Sequence, residues 1–151
     1  MKNKLYGSIE AGGTKFVCAV GNDKLQIIDE IQIKTTYPEE TLEKVVNYFN
    51  QFYDALVAIS IGSFGPIDNI KSSSRYGYIT STPKKRWQNT DVVGQLTKHF
   101  DLPIYFTTDV NASAYGEAVI RKEIKGLVYF TIGTGIGAGI IQNGMEWKLE
   151  Q

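Results

Sequence analysis

Along the first third of the chain, apolar and polar residues fall into short runs with the make-up of strands. "KLYGSIE" (4–10), "TKFVCAVG" (14–21) and "LQIIDEIQIK" (25–34) are rich in aliphatic and β-branched residues. They are separated by "AGG" and "NDK", connections too short for a helical crossover, so the three runs predict antiparallel strands. At Pro38 the period changes. Leu42, Val45, Val46, Phe49, Phe52 and Tyr53 follow helical spacing, with Pro38 at a first-turn position and Glu39 and Glu40 near the positive helix end. "LVAISIG" (56–62) reads as a buried strand, "TDVVGQLTKHF" (90–100) as a helix capped by Thr90 or Asn89, "IYFTTD" (104–109) as a strand and "NASAYGEAVIRK" (111–122) as a helix.

The predicted order is βββαβαβα, a meander followed by strands that are joined through helices and are therefore parallel. This order resembles that of an α/β, ribonuclease-H-like half-domain. The connection from Ser63 to Arg86 is too long for a plain link, so it is either functional or holds a small structure, and "GYITSTPK" (77–84) suits a short strand. "LVYFTIGTGIGAGIIQNGM" (127–145) can be laid on the start of the chain at an offset of 123. Tyr129 then matches Tyr6, Ile132 matches Ile9, Gly135 matches Gly12, Ile140 matches Val17 and Gly144 matches Gly21. The expectation is a half-domain followed by the first hairpin of a second, incomplete copy. That hairpin, without covering layers, would leave Val128, Phe130, Ile140 and Ile141 partly exposed unless it folds back or pairs with another chain. Self-association, a homodimer included, is the expected consequence.

Composition narrows the function classes. Sixteen Lys+Arg balance sixteen Asp+Glu, so no bulk charge draws the chain to nucleic acid or an anionic membrane, and any anion site must be local. One cysteine, Cys18, cannot form an internal disulfide, and its place in "FVCAV" suits a buried strand. With no long apolar span or export signal in the sequence, a cytoplasmic protein is expected. His99, near a helix end beside Lys98, suits a surface position favoured by the helix dipole.

Candidate chemistry rests on two glycine turns, "IEAGGTKF" (9–16) and "TIGTGIGAG" (131–139), each between apolar runs. Such turns let backbone N–H groups approach an anion closely. A Walker loop is not present as a string, and "GTGIGAG" has Ala138 where a dinucleotide fingerprint needs its third glycine and leads into a strand-like run. What remains is a pair of strand–turn–strand hairpins able to grip a nucleotide's phosphates from two sides. Asp109 stands at the C-terminal end of a predicted parallel strand and just before a helix N-terminus, where ligands of open α/β sheets bind; it and Asn111 also suit helix capping.

"EAGGTKF" (10–16), "GSFGPI" (62–67), "TPKKRW" (82–87), "TDVNASAYGEA" (108–118) and "TIGTGIGAG" (131–139) occur in the order and spacing of the ROK-family sugar kinases, and "EAGGTKF" most resembles their fructokinase branch. The resemblance extends to about Gly144. It implies ATP-dependent phosphorylation of a hexose, fructose first and glucose or mannose as alternatives, with Mg²⁺. Gly12, Gly13, Thr14 and Lys15 would form the first phosphate loop and Thr131, Gly133, Thr134, Gly135 and Gly137 the second. Asp109 would be the general base, and Gly65, Pro66, Thr82 and Asn111 would border the sugar. Glu10 stands where much of the family has Asp, and could reach Mg²⁺ through water or be a solvated strand-end carboxylate. Lys84, Lys85, Arg86 and Trp87 read as a solvated basic loop pinned by one ring, with an anion site as the alternative.

By the same resemblance, residues 1–122 are the N-terminal kinase lobe and 123–151 open the second lobe. "GMEWKLEQ" (144–151) does not resemble the family's continuation, and the family's zinc-binding segment is not present in the sequence, so no zinc site is expected. The chain thus resembles a fragment, with an inactive half-site as one outcome. The repressors of the family carry a helix-turn-helix ahead of the kinase-like domain, for which a first strand beginning near Lys4 leaves no room.

Overall fold

The antiparallel meander forms first in the chain. β1 (Leu5–Ala11) pairs with β2 (Lys15–Gly21), and β2 pairs with β3 (Ile27–Lys34). A computed structural model describes residues 4–132 and 136–146. After the meander come α1 (Pro38–Asn50), β4 (Leu56–Ser63), β5 (Tyr78–Ile79), β6 (Thr90–Asp91), α2 (Val92–Thr97), β7 (Ile104–Thr108), α3 (Asp109–Ile120), β8 (Gly126–Ile132), β9 (Ile136–Gln142) and β10 (Met145–Glu146). The fold is α/β with a mixed main sheet in the order β3-β2-β1-β4-β7, in which β1, β4 and β7 are parallel. β5, inside the long connection, pairs with β6 just beyond it, and β8, β9 and β10 form a separate three-stranded sheet. No helix among the described residues is long and apolar enough to cross a membrane.

Strand alternation assigns the two faces of the main sheet. Gly7, Ile9 and Ala11 of β1 are buried with Phe16, Cys18 and Val20 of β2, whereas Tyr6, Ser8 and Glu10 are exposed. Leu42, Val45, Val46 and Phe49 of α1 cover the buried face. Fully burying one such side chain contributes about 1.5–3 kcal/mol. The stripe weakens at Phe52, which is half-buried, and fails at Tyr53, which is exposed, because α1 ends at Asn50 and the next residues leave the helical path. Trp87 plugs the same core, tilted 5.3 Å from the Phe16 ring and edge-on 5.8 Å from Phe64, and its indole N–H donates to Thr36 O at 3.0 Å.

α2 is shorter than its apolar spacing predicts, and neither Thr90 nor Asn89 caps it. Thr90 and Asp91 pair with β5, and Asp91 caps the helix by accepting the Gly94 N–H at 2.7 Å. Asn89 takes a left-handed φ of 59°, which turns the chain just before this pairing.

α3 lies between two sheets. On one side Gly62 of β4 admits it, since an added Cβ would come within 2.6 Å of Ala112 Cβ. On the other side Gly139 of β9 lies so close that a Cβ there would be 2.6 Å from Val110 O. The β8–β9 hairpin therefore folds back onto the first unit through α3. Ile141 is buried at 2 % exposure because it faces inward, as the fold-back alternative allows. Ile140 is half-buried, while Val128 and Phe130 are exposed on the outer face.

The offset of 123 does not describe the pairing. It would pair Tyr129 with Gly144 as Tyr6 pairs with Gly21, but Tyr129 pairs with Gly139. The strand starts Gly126 and Ile136 instead sit 121 residues after Leu5 and Lys15. The letter match had aligned glycines of the turns rather than the strands that carry them.

Candidate functional site

The C-terminal ends of β1, β4 and β7 lie side by side, with Ala11 opposite Ser63 and Ser63 opposite Thr108. The residues that leave these strands therefore meet at one edge: Gly12 after β1, Phe64 after β4 and Asp109 after β7. Neighbouring strands are about 4.8 Å apart, so the first glycine turn and Asp109, two strands apart, are separated by about 10 Å.

Asp109 is the first residue of α3, but it does not cap the helix. Thr108 does so, its hydroxyl accepting the Asn111 N–H at 3.2 Å. The Asp109 carboxylate accepts its neighbour Val110 N–H at 2.8 Å and is exposed. Capping by Thr108 leaves this carboxylate at the mouth of a cavity of about 630 Å³ on the open face of the sheet. The cavity is bordered by Glu10, Gly62, Thr107 and Asp109 at the strand ends and by Ser8 and Ser60 further down. Lys71, Asn69 and Tyr76 reach it from the long connection. Sequence reasoning did not single out Ser8, Ser60, Thr107 or Lys71. Alternate polar positions on three adjacent strands were the available signal, since Ser8 pairs with Ser60 and Glu10 with Gly62.

The first glycine turn is closed by Gly12 N–H donating to Lys15 O at 3.0 Å. Thr35 braces it, donating its N–H to Thr14 O at 2.9 Å and its hydroxyl to Gly12 O at 2.8 Å. A Cβ at Gly12 would lie 2.5 Å from Lys15 O, a backbone atom that cannot move aside cheaply. The Lys15 ammonium does not fold over the turn; it donates to Gln32 Oε1 at 3.1 Å.

Of the second turn, Gly133, Thr134 and Gly135 lie outside the described residues. Its flanks, Thr131 and Gly137, pair with each other, and a Cβ at Gly137 would lie 3.8 Å from Val110 Cγ1. Those flanks therefore rest beside the residue after Asp109. The remaining sequence-derived positions are more scattered. Asn111 donates to Thr107 Oγ1 at 3.4 Å and lies against Gly139, outside the cavity lining. Gly65 and Pro66, joined by a cis peptide, follow Phe64 and also lie outside it. Thr82 is buried, its hydroxyl accepting the Lys84 N–H at 3.4 Å and its carbonyl the Gln88 side-chain N–H at 2.9 Å. Trp87 is buried while Lys84, Lys85 and Arg86 are exposed, which fits a basic loop pinned by one ring. Cys18 is fully buried in β2, and burial pushes its thiol up to about 12. His99 is exposed at the end of the α2 region.

The donor set bears on Mg²⁺. The carboxylates bordering the cavity are Glu10 and Asp109, and among the described residues no group of three potential metal ligands exists. Mg²⁺ is commonly held by one or two carboxylates with substrate phosphates and water, so a single strand-end carboxylate such as Glu10 fits it in that manner.

The ROK family model matches residues 6–148, which takes in residues 145–148, past the Gly144 limit of the motif resemblance. The chain is 62 % identical over 142 residues to a fructokinase of Streptococcus mutans and 59 % identical over 139 residues to a fructokinase of Lactococcus lactis. Those alignments take in 94 % and 92 % of this chain but 48 % and 47 % of the relatives. The chain thus spans about half the length of the curated relatives it matches. Among solved structures, a ROK hexokinase from Thermus thermophilus superposes with a TM-score of 0.79 at 23 % identity, covering 97 % of this chain and 50 % of that one. At that identity the likeness concerns the fold.

Proposed function

The chain belongs to the ROK family, and from that premise we propose that it carries one half of an ATP-dependent hexose kinase site, with fructose as the favoured sugar. Residues 1–122 form the N-terminal lobe, and residues 123–151 open a second copy of the same unit, so that two glycine hairpins face one nucleotide. The single observation that carries the reading is the Asp109 carboxylate at the strand-end edge, two strands from the first glycine turn and one residue from the Val110 on which the flanks of the second rest.

In this reading the Asp109 carboxylate accepts the proton of a sugar hydroxyl. The freed oxygen bonds to the terminal phosphorus of ATP, and the bond from that phosphorus to its bridging oxygen breaks with the electron pair leaving on ADP. The base accounts for about 10²- to 10⁴-fold of rate. Backbone N–H groups of the turns stabilise charge on the transferring group. Glu10 is the carboxylate that would hold Mg²⁺ through water, leaving Asp109 free as the base; the ion when bound neutralises charge on the phosphate oxygens. Ser8, Ser60 and Thr107 offer hydroxyls to the sugar or to ordered water in the cavity.

Coupled-assay turnover with ATP and fructose, glucose or mannose tests this, for the chain and for Asp109→Asn. The pair is measured alone and again after the chain replaces the matching half of the Streptococcus mutans relative. The expected result is highest turnover with fructose and a loss of about 10²- to 10⁴-fold in Asp109→Asn. Equal rates for the pair would remove Asp109 from its role. Turnover only in the chimera would establish the chain as a half-site.

A further inference from the structure

The first glycine turn is bordered by a cation that neither the motif nor the resemblance assigns to it. Lys15 belongs to the motif, yet its ammonium is held by Gln32. Lys84, 71 positions past Gly13, occupies the space above the turn instead: a Cβ at Gly13 would collide with its Cε and lie 3.1 Å from its Nζ. Beside it is a recess of about 310 Å³ bordered by Gly13, Thr35, Thr36, Lys84, Lys85 and Arg86, with Trp87 behind. The buried Trp87 and the Lys84 N–H to Thr82 hydroxyl bond anchor the backbone of this loop at both ends, so the lysine is delivered by a fixed segment. Among the described residues the ion pairs are Lys44–Glu40 and Arg121–Glu117, so no carboxylate neutralises Lys84, Lys85 or Arg86; Arg86 stacks on the Tyr37 ring at 4.2 Å. The Gly13 and Thr14 N–H groups likewise donate to no acceptor among the described residues. Three adjacent cations repel one another, and with Gly13 bordering the same recess and its amide without an acceptor, an anion is the group that relieves both.

We propose that Lys84 is a phosphate-binding residue of the first glycine turn, taking a terminal phosphoryl group between its ammonium and the Gly13 and Thr14 amides, with Lys85 and Arg86 adding charge behind it. The inference rests on the kinase reading and deepens it. The same chemistry is presented by the end of a nucleotide's phosphate chain and by a hexose phosphate product, which are the two positions of one group before and after transfer.

The test is calorimetric titration of the metal-free chain with tripolyphosphate, with fructose 6-phosphate and with fructose, while the Gly13 amide resonance is followed by NMR. Lys84→Met, Lys84→Arg and the remote Lys98→Met are compared with the unmodified chain. The expected result is that one or both phosphate compounds shift the Gly13 amide, that Lys84→Met weakens this binding about tenfold or more, that Lys84→Arg restores most of it and that Lys98→Met leaves it unchanged. Tripolyphosphate acting alone assigns the site to the nucleotide, and fructose 6-phosphate acting alone assigns it to the product; either supports the proposal. Phosphate binding at Gly13 that is equal in the unmodified chain and Lys84→Met overturns the role of Lys84 and leaves the phosphate turn standing. A Gly13 amide that no phosphate compound moves overturns both.

Discussion

β1 and β2 lie inside a five-stranded sheet, with β3 and β4 on either side and α1 across one face. β8 and β9 have only β10 beyond them, and β8 is an edge strand among the described residues. Both hairpins alternate apolar residues, and both bring glycines to their turns. In the first, the alternation separates a core face from a solvent face. In the second, the inner face is narrow because Gly137 and Gly139 let α3 approach, while the outer face carries Val128, Phe130, Ile132 and Ile136 in the open. Local pattern thus sets the hairpin, but what covers it decides whether its apolar residues stabilise anything.

The largest test of that contrast is a pair of truncations. Phe16→Ala, at a position with no exposure, should cost about 3–5 kcal/mol in urea unfolding. Phe130→Ala, at 63 % exposure, should change stability by no more than about 0.5 kcal/mol. Comparable losses would mean that the outer face is covered in solution, and sedimentation equilibrium would then show a dimer. A smaller effect probes the seat of the second hairpin. Gly139→Ala pushes a methyl toward Val110 O and should cost about 1–3 kcal/mol, whereas Gly116→Ala, in open space on α3, should stabilise by about 0.5–1 kcal/mol.

A reactivity test at pH 8, below the titration range, distinguishes how dry the two hairpins are. The folded Cys18 thiol is raised above its unfolded value, so its contribution is complete below the unfolded pKa and is lost as pH rises from about 9 toward about 12. Native protein at pH 8 should therefore leave Cys18 unreactive toward a disulfide reagent, while a cysteine placed by Phe130→Cys should react within minutes. Rapid labelling of Cys18 without unfolding would break the comparison.

Much of the frame was readable from periodicity. The α1 stripe, the strand ends and Asp109 after β7 follow from spacings that sterics and burial enforce. The finer features depended on contacts between distant segments. Thr108 rather than Asp109 caps α3 because a hydroxyl one residue earlier reaches the Asn111 amide. The Lys84 ammonium lies over Gly13 because Trp87 is buried against Phe16 and Phe64, a tertiary anchor that no local rule announces. Ser8 and Ser60 share a cavity wall only once the parallel register of β1 and β4 is known.

One turn of α3 carries both Asp109 and the surface on which Gly137 and Gly139 rest. The Asp109 carboxylate and the flanks of the second hairpin are therefore aligned along a single helical pitch of about 5.4 Å, with no long lever between them to amplify small errors. A chain assembled this way can tolerate drift in its outer strand while Asp109 and those flanks keep their spacing.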